Sequence, residues 1–247
     1  MAVMIGQASI DERGQITGGQ AGNQSGSELN KRSWYANGWT LLIRAKDSAV
    51  AEKMAKACEA GVANRNIGYD QSQRNTLREY ARLAGWDLSK IKDGCETDCS
   101  AFMAVCAEAA GVNMDKAYTA GNAPATFQMR QQWAKTGAFD MYTDSKYLTS
   151  DAFLRRGDVL VNESRHTVMV LSNGLKAGQD NTIRAIVDGK TVTMRGQLVD
   201  GANRVLLGDL MSACGLKDTD PVPLRAVCEA LGFEVGNSGA TPIIKTK

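Results

Sequence analysis

The sequence predicts an α+β fold, and three observations carry that reading. Apolar residues recur at helical spacing in the first half of the chain, with Ala49, Val50, Met54, Ala57, Cys58 and Val62 on one stripe. Two β-branched runs, GDVLVN at 157–162 and HTVMVL at 166–171, follow later with only Glu163, Ser164 and Arg165 between them, a hairpin pattern. Hydrophobic residues make up 43% of the 247 and charged residues 23%, enough to pack a core and too little charge for wholesale disorder. Helices first and a small antiparallel sheet afterwards give α+β rather than alternating βαβ units.

Residues 1–33 are rich in Gly, Gln, Asn and Ser and read as irregular, with at most a short strand. Trp39 to Arg44 reads as a strand. Asp47 or Ser48 then caps a helix over 48–63. A second helix is expected over 70–84, with Asp70 as cap and Leu77, Tyr80 and Leu83 inward. A third starts at Cys99 and runs to Gly111, a natural C-cap, and a fourth covers about 123–135. After the hairpin, Asn173-Gly174 is the strongest two-residue turn signal. The stretch 175–181 reads as a linker. Beyond it, 182–194 reads as two strands around Asp188-Gly189, and 206–215 and 223–232 read as two amphipathic helices, each closed by Gly. The expected division is a catalytic domain at 1–180 and a small α+β domain at 183–247.

A formal net charge of +2 argues against nucleic acid as a partner, which would need basic clusters. No apolar run is long enough to span a bilayer, so membrane insertion is not expected. The start lacks a basic segment followed by an apolar stretch, so no signal peptide is expected. The spacing Cys95-x3-Cys99-x6-Cys106 matches no common zinc pattern, and with one histidine in the chain neither a metal nor another cofactor is expected.

The chemistry gathers at Thr97-Asp98-Cys99-Ser100, which opens an apolar helix. A thiol at a helix N-terminus meets unpaired amide donors and the positive end of the macrodipole, and both favour the thiolate. The same amides can hold an oxyanion. Asp98 is the natural N-cap. His166, the only histidine, begins a strand next to a turn, and a cysteine with a distant histidine is a recognised arrangement for a thiol nucleophile and its base. Against this stands the plainer account in which both are core residues. If Asn173-Gly174 closes a hairpin, His166 faces Asn181, with Asp180 beside it; Asn162, across the preceding turn, is the rival third residue.

The pairing of Asp98-Cys99-Ser100 at a helix start with Gly157-Asp158 and His166-Thr167-Val168-Met169-Val170-Leu171 downstream resembles the NlpC/P60 and CHAP group of papain-like cell-wall hydrolases, and the chain looks like a phage endolysin. The resemblance covers roughly residues 60–180. It implies a papain-like domain with Cys99 as nucleophile, His166 as base, a polar third residue, and Tyr69, Asp98 and Ser100 near the substrate. It implies bacterial peptidoglycan as partner, and synthesis in a host cytoplasm with action on the wall after release. Whether the enzyme is a peptidase within the stem peptide or an N-acetylmuramoyl-L-alanine amidase stays open. So do another thiol acyltransferase or deamidase on the same fold, and a wall-binding protein without activity. The segment around Asp188-Gly189-Lys190 and 222–232 resembles the small repeat domain related to the copper amine oxidase N-terminal domain, which implies anchoring or self-association.

Overall fold

The computed structural model describes residues 2–178 and, beyond them, only the backbone of five strands at 182–187, 190–199, 202–205, 233–238 and 241–246. The chain divides into two units, Met1–Gln179 and Asp180–Lys247.

In chain order the first unit contains strands β1 (Met4–Ala8), β2 (Leu29–Ser33) and β3 (Leu41–Ala45), helix α1 (Ser48–Ala63), strand β4 (Ile67–Tyr69) and helix α2 (Thr76–Leu83). Strand β5 (Cys95–Thr97), helices α3 (Cys99–Ala109) and α4 (Thr126–Ala134), strand β6 (Phe139–Tyr142), helix α5 (Ser145–Leu148) and strands β7 (Val159–Asn162) and β8 (His166–Val170) complete it. Six strands form one antiparallel sheet in the order β2-β1-β8-β7-β3-β6, and β4 and β5 pair in parallel beside it.

Strand alternation sorts the sheet into two buried faces. Leu41, Ile43, Val159, Val161 and Met169 pack with α1 and α3, where Met54, Phe102 and Met103 are fully buried. Val3, Ile5, Leu42, Leu160, Val168 and Val170 point the other way, onto Trp39 and Tyr147 of α5. Contact on the helix face is close: a Cβ at Gly6 of β1 would stand 2.6 Å from the Cys58 sulfur of α1. Gly157 has φ +88, and a Cβ there would collide with the Ala51 carbonyl of the same helix. Next to it, Asp158 is buried and accepts from Arg44 Nε at 2.7 Å and Nη2 at 2.6 Å. The Gly-Asp pair of the sequence therefore braces β7 against β3.

Helix α1 begins where its cap predicts, with Asp47 accepting from the Ala49 amide at 2.8 Å. Four expectations are corrected. Residues 1–33 hold two strands, and β1 sits between β2 and β8 in the middle of the sheet. Helix α2 starts at Thr76 rather than 70, because the Asp70 carboxylate is taken by the Gly18 amide and by Ser72; its Leu83 is 81% exposed. Asn173-Gly174 closes no hairpin on β8, because the free edge of that strand already pairs with β1, Ile5 opposite Val170 and Gly6 opposite Met169. The sheet also draws its strands from both ends of the unit, rather than following the helices. Strands β4, β5, β6 and helix α5 carry no clear signal in the sequence.

In the second unit, β9 (Thr182–Val187) pairs with β10 (Lys190–Val199) antiparallel, Val187 opposite Lys190. Strand β11 (Ala202–Val205) pairs with β10, and β12 (Phe233–Ser238) with β13 (Thr241–Thr246). The helices expected over 206–215 and 223–232, and the turn at Asp188-Gly189, lie outside the described residues. Among the described residues no helix is long and apolar enough to cross a membrane.

Candidate active site

Cys99 is the first residue of α3, and Asp98 is its N-cap. The Asp98 carboxylate accepts from the Ala101 amide at 2.7 Å and from Ser100 Oγ at 3.1 Å. Its second oxygen lies 2.7 Å from Arg74 Nε, and Arg74 Nη2 also donates to Ser100 Oγ at 2.7 Å. Asp98 and Ser100, which the resemblance sets beside the substrate, are thus tied into a buried network that fixes the helix start. A cap of this kind stabilises a helix by roughly 1 kcal/mol.

The sheet brings the start of β8 to the start of α3 through register. Along β8 the amides of residues 167, 169 and 171 point toward β1, as Leu171 N–H does in donating to the Met4 carbonyl at 2.7 Å. Pairing with β1 ends at Gly6 opposite Met169, so the next amide, Thr167, has no strand partner. It lies near Cys99 Sγ instead, as does the Ser100 amide, and both favour the thiolate. Cys99 therefore sits where β1 and β8 part, one residue from His166.

His166 lies on the sheet face of Val168 and Val170. Its Nε2 is 3.0 Å from Gln7 Oε1. The surrounding network decides the tautomer. Asn30 Nδ2 donates to the Ser27 carbonyl at 2.7 Å, which leaves Asn30 Oδ1 to accept from Gln7 Nε2 at 3.1 Å. Gln7 Oε1 is then the acceptor, taking the Tyr35 hydroxyl at 3.2 Å and the His166 Nε2–H. The proton sits on Nε2, and Nδ1 keeps its lone pair.

Burial governs the electrostatics. It pushes the Cys99 thiol up to about 12, and the neighbouring Asp98 carboxylate adds to the shift; the Thr167 amide, Arg74 and the Ser100 amide pull the other way. Burial pushes the His166 imidazole down to about 4, with Asp98 opposing. At neutral pH both groups are uncharged, the reverse of the thiolate expected from the helix start alone. The Tyr69 phenol is driven above its ordinary range first by burial and then by the charge that Cys99 would carry; its hydroxyl accepts from Gln71 Nε2 at 3.0 Å. Cys95, in β5, is buried, and its thiol is also pushed up to about 12. Among the described residues no group of His, Cys, Asp and Glu has the geometry of a metal site.

For the third polar residue, Asn181 and Asp180 lie outside the described residues. Asn162 stands opposite His166 in register, but its Nδ2 donates to the Asn37 carbonyl at 2.6 Å and its Oδ1 accepts from the Ser164 amide at 3.0 Å. Gln7 is the side chain in contact with the imidazole. Its signal was a polar residue in register with Val3 and Ile5, at an inward position of an apolar alternation.

No curated protein and no solved structure matches this chain. One family model does, that of the endolysin-like domain, over residues 5–177, a stretch that holds all but the first residue of the six-stranded sheet, and with it Cys99, His166 and Gln7. The chain belongs to the endolysin-like domain family, whose general role is that of a cell-wall hydrolase acting on peptidoglycan.

Proposed function

We infer that this protein cleaves an amide bond of peptidoglycan by thiol chemistry, with Cys99 as nucleophile and His166 as base. What supports the reading is a thiol at the start of α3, near the point where β8 opens with a histidine whose Nε2–H is held by Gln7. With both groups neutral at rest, the reaction starts by moving the Cys99 proton to His166 Nδ1 as the sulfur attacks the substrate carbonyl. The amides at the helix start stabilise the oxyanion. The imidazolium then protonates the departing amine, leaving a thioester. Water, deprotonated by the same nitrogen, attacks the thioester, and the imidazolium returns that proton to Cys99 Sγ as the C–S bond breaks and the acid leaves. Gln7 accepts from Nε2–H throughout, so it keeps the ring in one tautomer and stabilises its charged form. The papain-like relationship to the NlpC/P60 and CHAP group is part of this reading, as is a wall-binding or self-associating role for residues 183–247.

The test is release of new amino groups from purified cell walls. Cys99→Ala should abolish it with the thermal transition preserved, while Cys95→Ala should retain it. Mass spectrometry of the fragments would then identify the bond. An active Cys99→Ala protein would overturn the assignment.

A further inference from the structure

The far end of α3 from the thiol opens on a cavity of about 710 Å³, within the range of about 300–1,000 Å³ usual for ligand sites. Its walls include Asn75, Arg78 and Arg82 of the α2 segment, Trp86 just beyond that helix, Glu108 at the end of α3, and Asn113. Nothing in the proposed thiol chemistry uses these residues.

Two features mark the cavity as a binding site. Trp86 has φ +64, a left-handed conformation that a bulky aromatic residue adopts only under constraint. The turn that holds it runs from the Trp86 amide to the Ala81 carbonyl at 2.7 Å, and it leaves the indole half-buried at the cavity wall. Among the described residues, neither the Trp86 indole N–H nor the Arg82 guanidinium has a hydrogen-bond partner.

Charge narrows the ligand. Arg78 is neutralised by Glu108 at 2.6 Å and Asp115 at 3.2 Å, and lies 3.7 Å over the Tyr118 ring. With Glu79 and Arg82 added, the lining holds two cations and three carboxylates, so it offers no field for an anion. It is too polar for an aliphatic ligand. An aromatic face flanked by amide, carboxylate and guanidinium groups suits an uncharged ring with a C–H face and a rim of hydroxyl and acetamido groups.

We propose that this cavity binds the N-acetylhexosamine units of the wall glycan. The proposal rests on peptidoglycan being the substrate and adds a second contact with it. Glu108 lies nine positions along α3 from Cys99, about 13 Å at 1.5 Å per residue. That is roughly four residues of extended peptide at about 3.3 Å each, so glycan and stem peptide can engage together.

The experiment uses the full chain with ¹⁵N-labelled indoles and the β-1,4-linked tetramer of N-acetylglucosamine, a probe with no peptide to cleave. The chain has four tryptophans, and Trp86→Phe identifies the signal in question. Saturable movement of the Trp86 signal, weakened about tenfold or more by Arg82→Ala, supports the proposal. An unmoved Trp86 signal at millimolar tetramer overturns it, as does movement that Arg82→Ala leaves unchanged. So does a response to a free stem tripeptide in place of the sugar. Because the probe is not hydrolysed, a failed titration leaves the Cys99 test standing, and a failed Cys99 test leaves the titration readable.

Discussion

Alkylation of Cys99 by iodoacetamide as a function of pH reads the protonation state of the site directly. The thiol is held at about 12, against about 8.5 for a free cysteine. At pH 7 its thiolate is therefore about 3,000-fold rarer. A more basic thiolate is also more nucleophilic, with a Brønsted slope of about 0.4–0.5, which returns a factor of about 40. The net expectation is a rate about 100-fold below that of a free thiol at pH 7, climbing about tenfold per pH unit with no plateau before pH 10. His166 gives no help, because an imidazole held near 4 is uncharged at neutral pH and cannot stabilise a neighbouring thiolate. Peptide-level mass spectrometry separates Cys99 from the other five cysteines. A plateau between pH 5 and 8, at or above the free-thiol rate, would show a thiolate–imidazolium pair and refute the burial argument. In the proposed mechanism the sign for hydrolysis is set by the base: His166 must be neutral, so kcat/KM should fall as pH drops through about 4 and stay level through neutrality.

Gln7→Glu puts a carboxylate about 3.0 Å from His166 Nε2, so the acidic limb of kcat/KM should move up by about 1–3 pH units, while Gln7→Ala should lower kcat at least about tenfold. Asp158→Ala removes the carboxylate that neutralises the buried Arg44 and should cost about 3–5 kcal/mol in urea unfolding; a loss below 1 kcal/mol would mean the brace is not needed. Glu96 is buried beside Glu28 and Asp70, and burial first, then those charges, push its carboxyl up to about 8. Its folded pKa exceeds its unfolded one, so its contribution is complete below about pH 4.5 and is lost as pH rises toward 8. Glu96→Gln should therefore raise Tm by several degrees at pH 8 and by little at pH 4. Residues 1–179 expressed alone should release amines from soluble muropeptides and bind intact walls less well; unchanged wall binding would remove the role proposed for 183–247.

What could be read from the sequence was whatever is encoded locally. Helices α1 and α3 have apolar stripes and aspartate caps, and the β7–β8 hairpin has its own short turn, so each is visible without knowledge of its partners. Cys99 and His166 stood out for the same reason. Strands β1 and β2 were hidden because β2 is an edge strand whose LNKRS sequence is mostly exposed, and because β1 is stabilised by β8, far away in the chain. The Asn173-Gly174 signal misled for a long-range reason: Gly174 donates to the Leu154 carbonyl, and its backbone lies against Asp151 and Ala152. The pull of burial on the thiol, opposite in sign to that of the helix start, has no signal in the sequence because a helix start is visible there and depth of burial is not.

Gln7 and His166 touch across 159 positions of chain, and this separation sets an order of events during synthesis. At about 5–20 residues per second, tens of seconds at the slow end separate the emergence of β1 from that of β8. For the later part of that interval the nascent chain carries Cys99 and its Asp98 cap, yet it lacks the imidazole, the Thr167 amide and the strand that holds Gln7 in place. On the proposed mechanism, a ribosome-bound or prematurely released fragment is therefore catalytically silent. The cell that makes this protein meets a competent site only when nearly the whole first unit has been translated and β1 has closed onto β8.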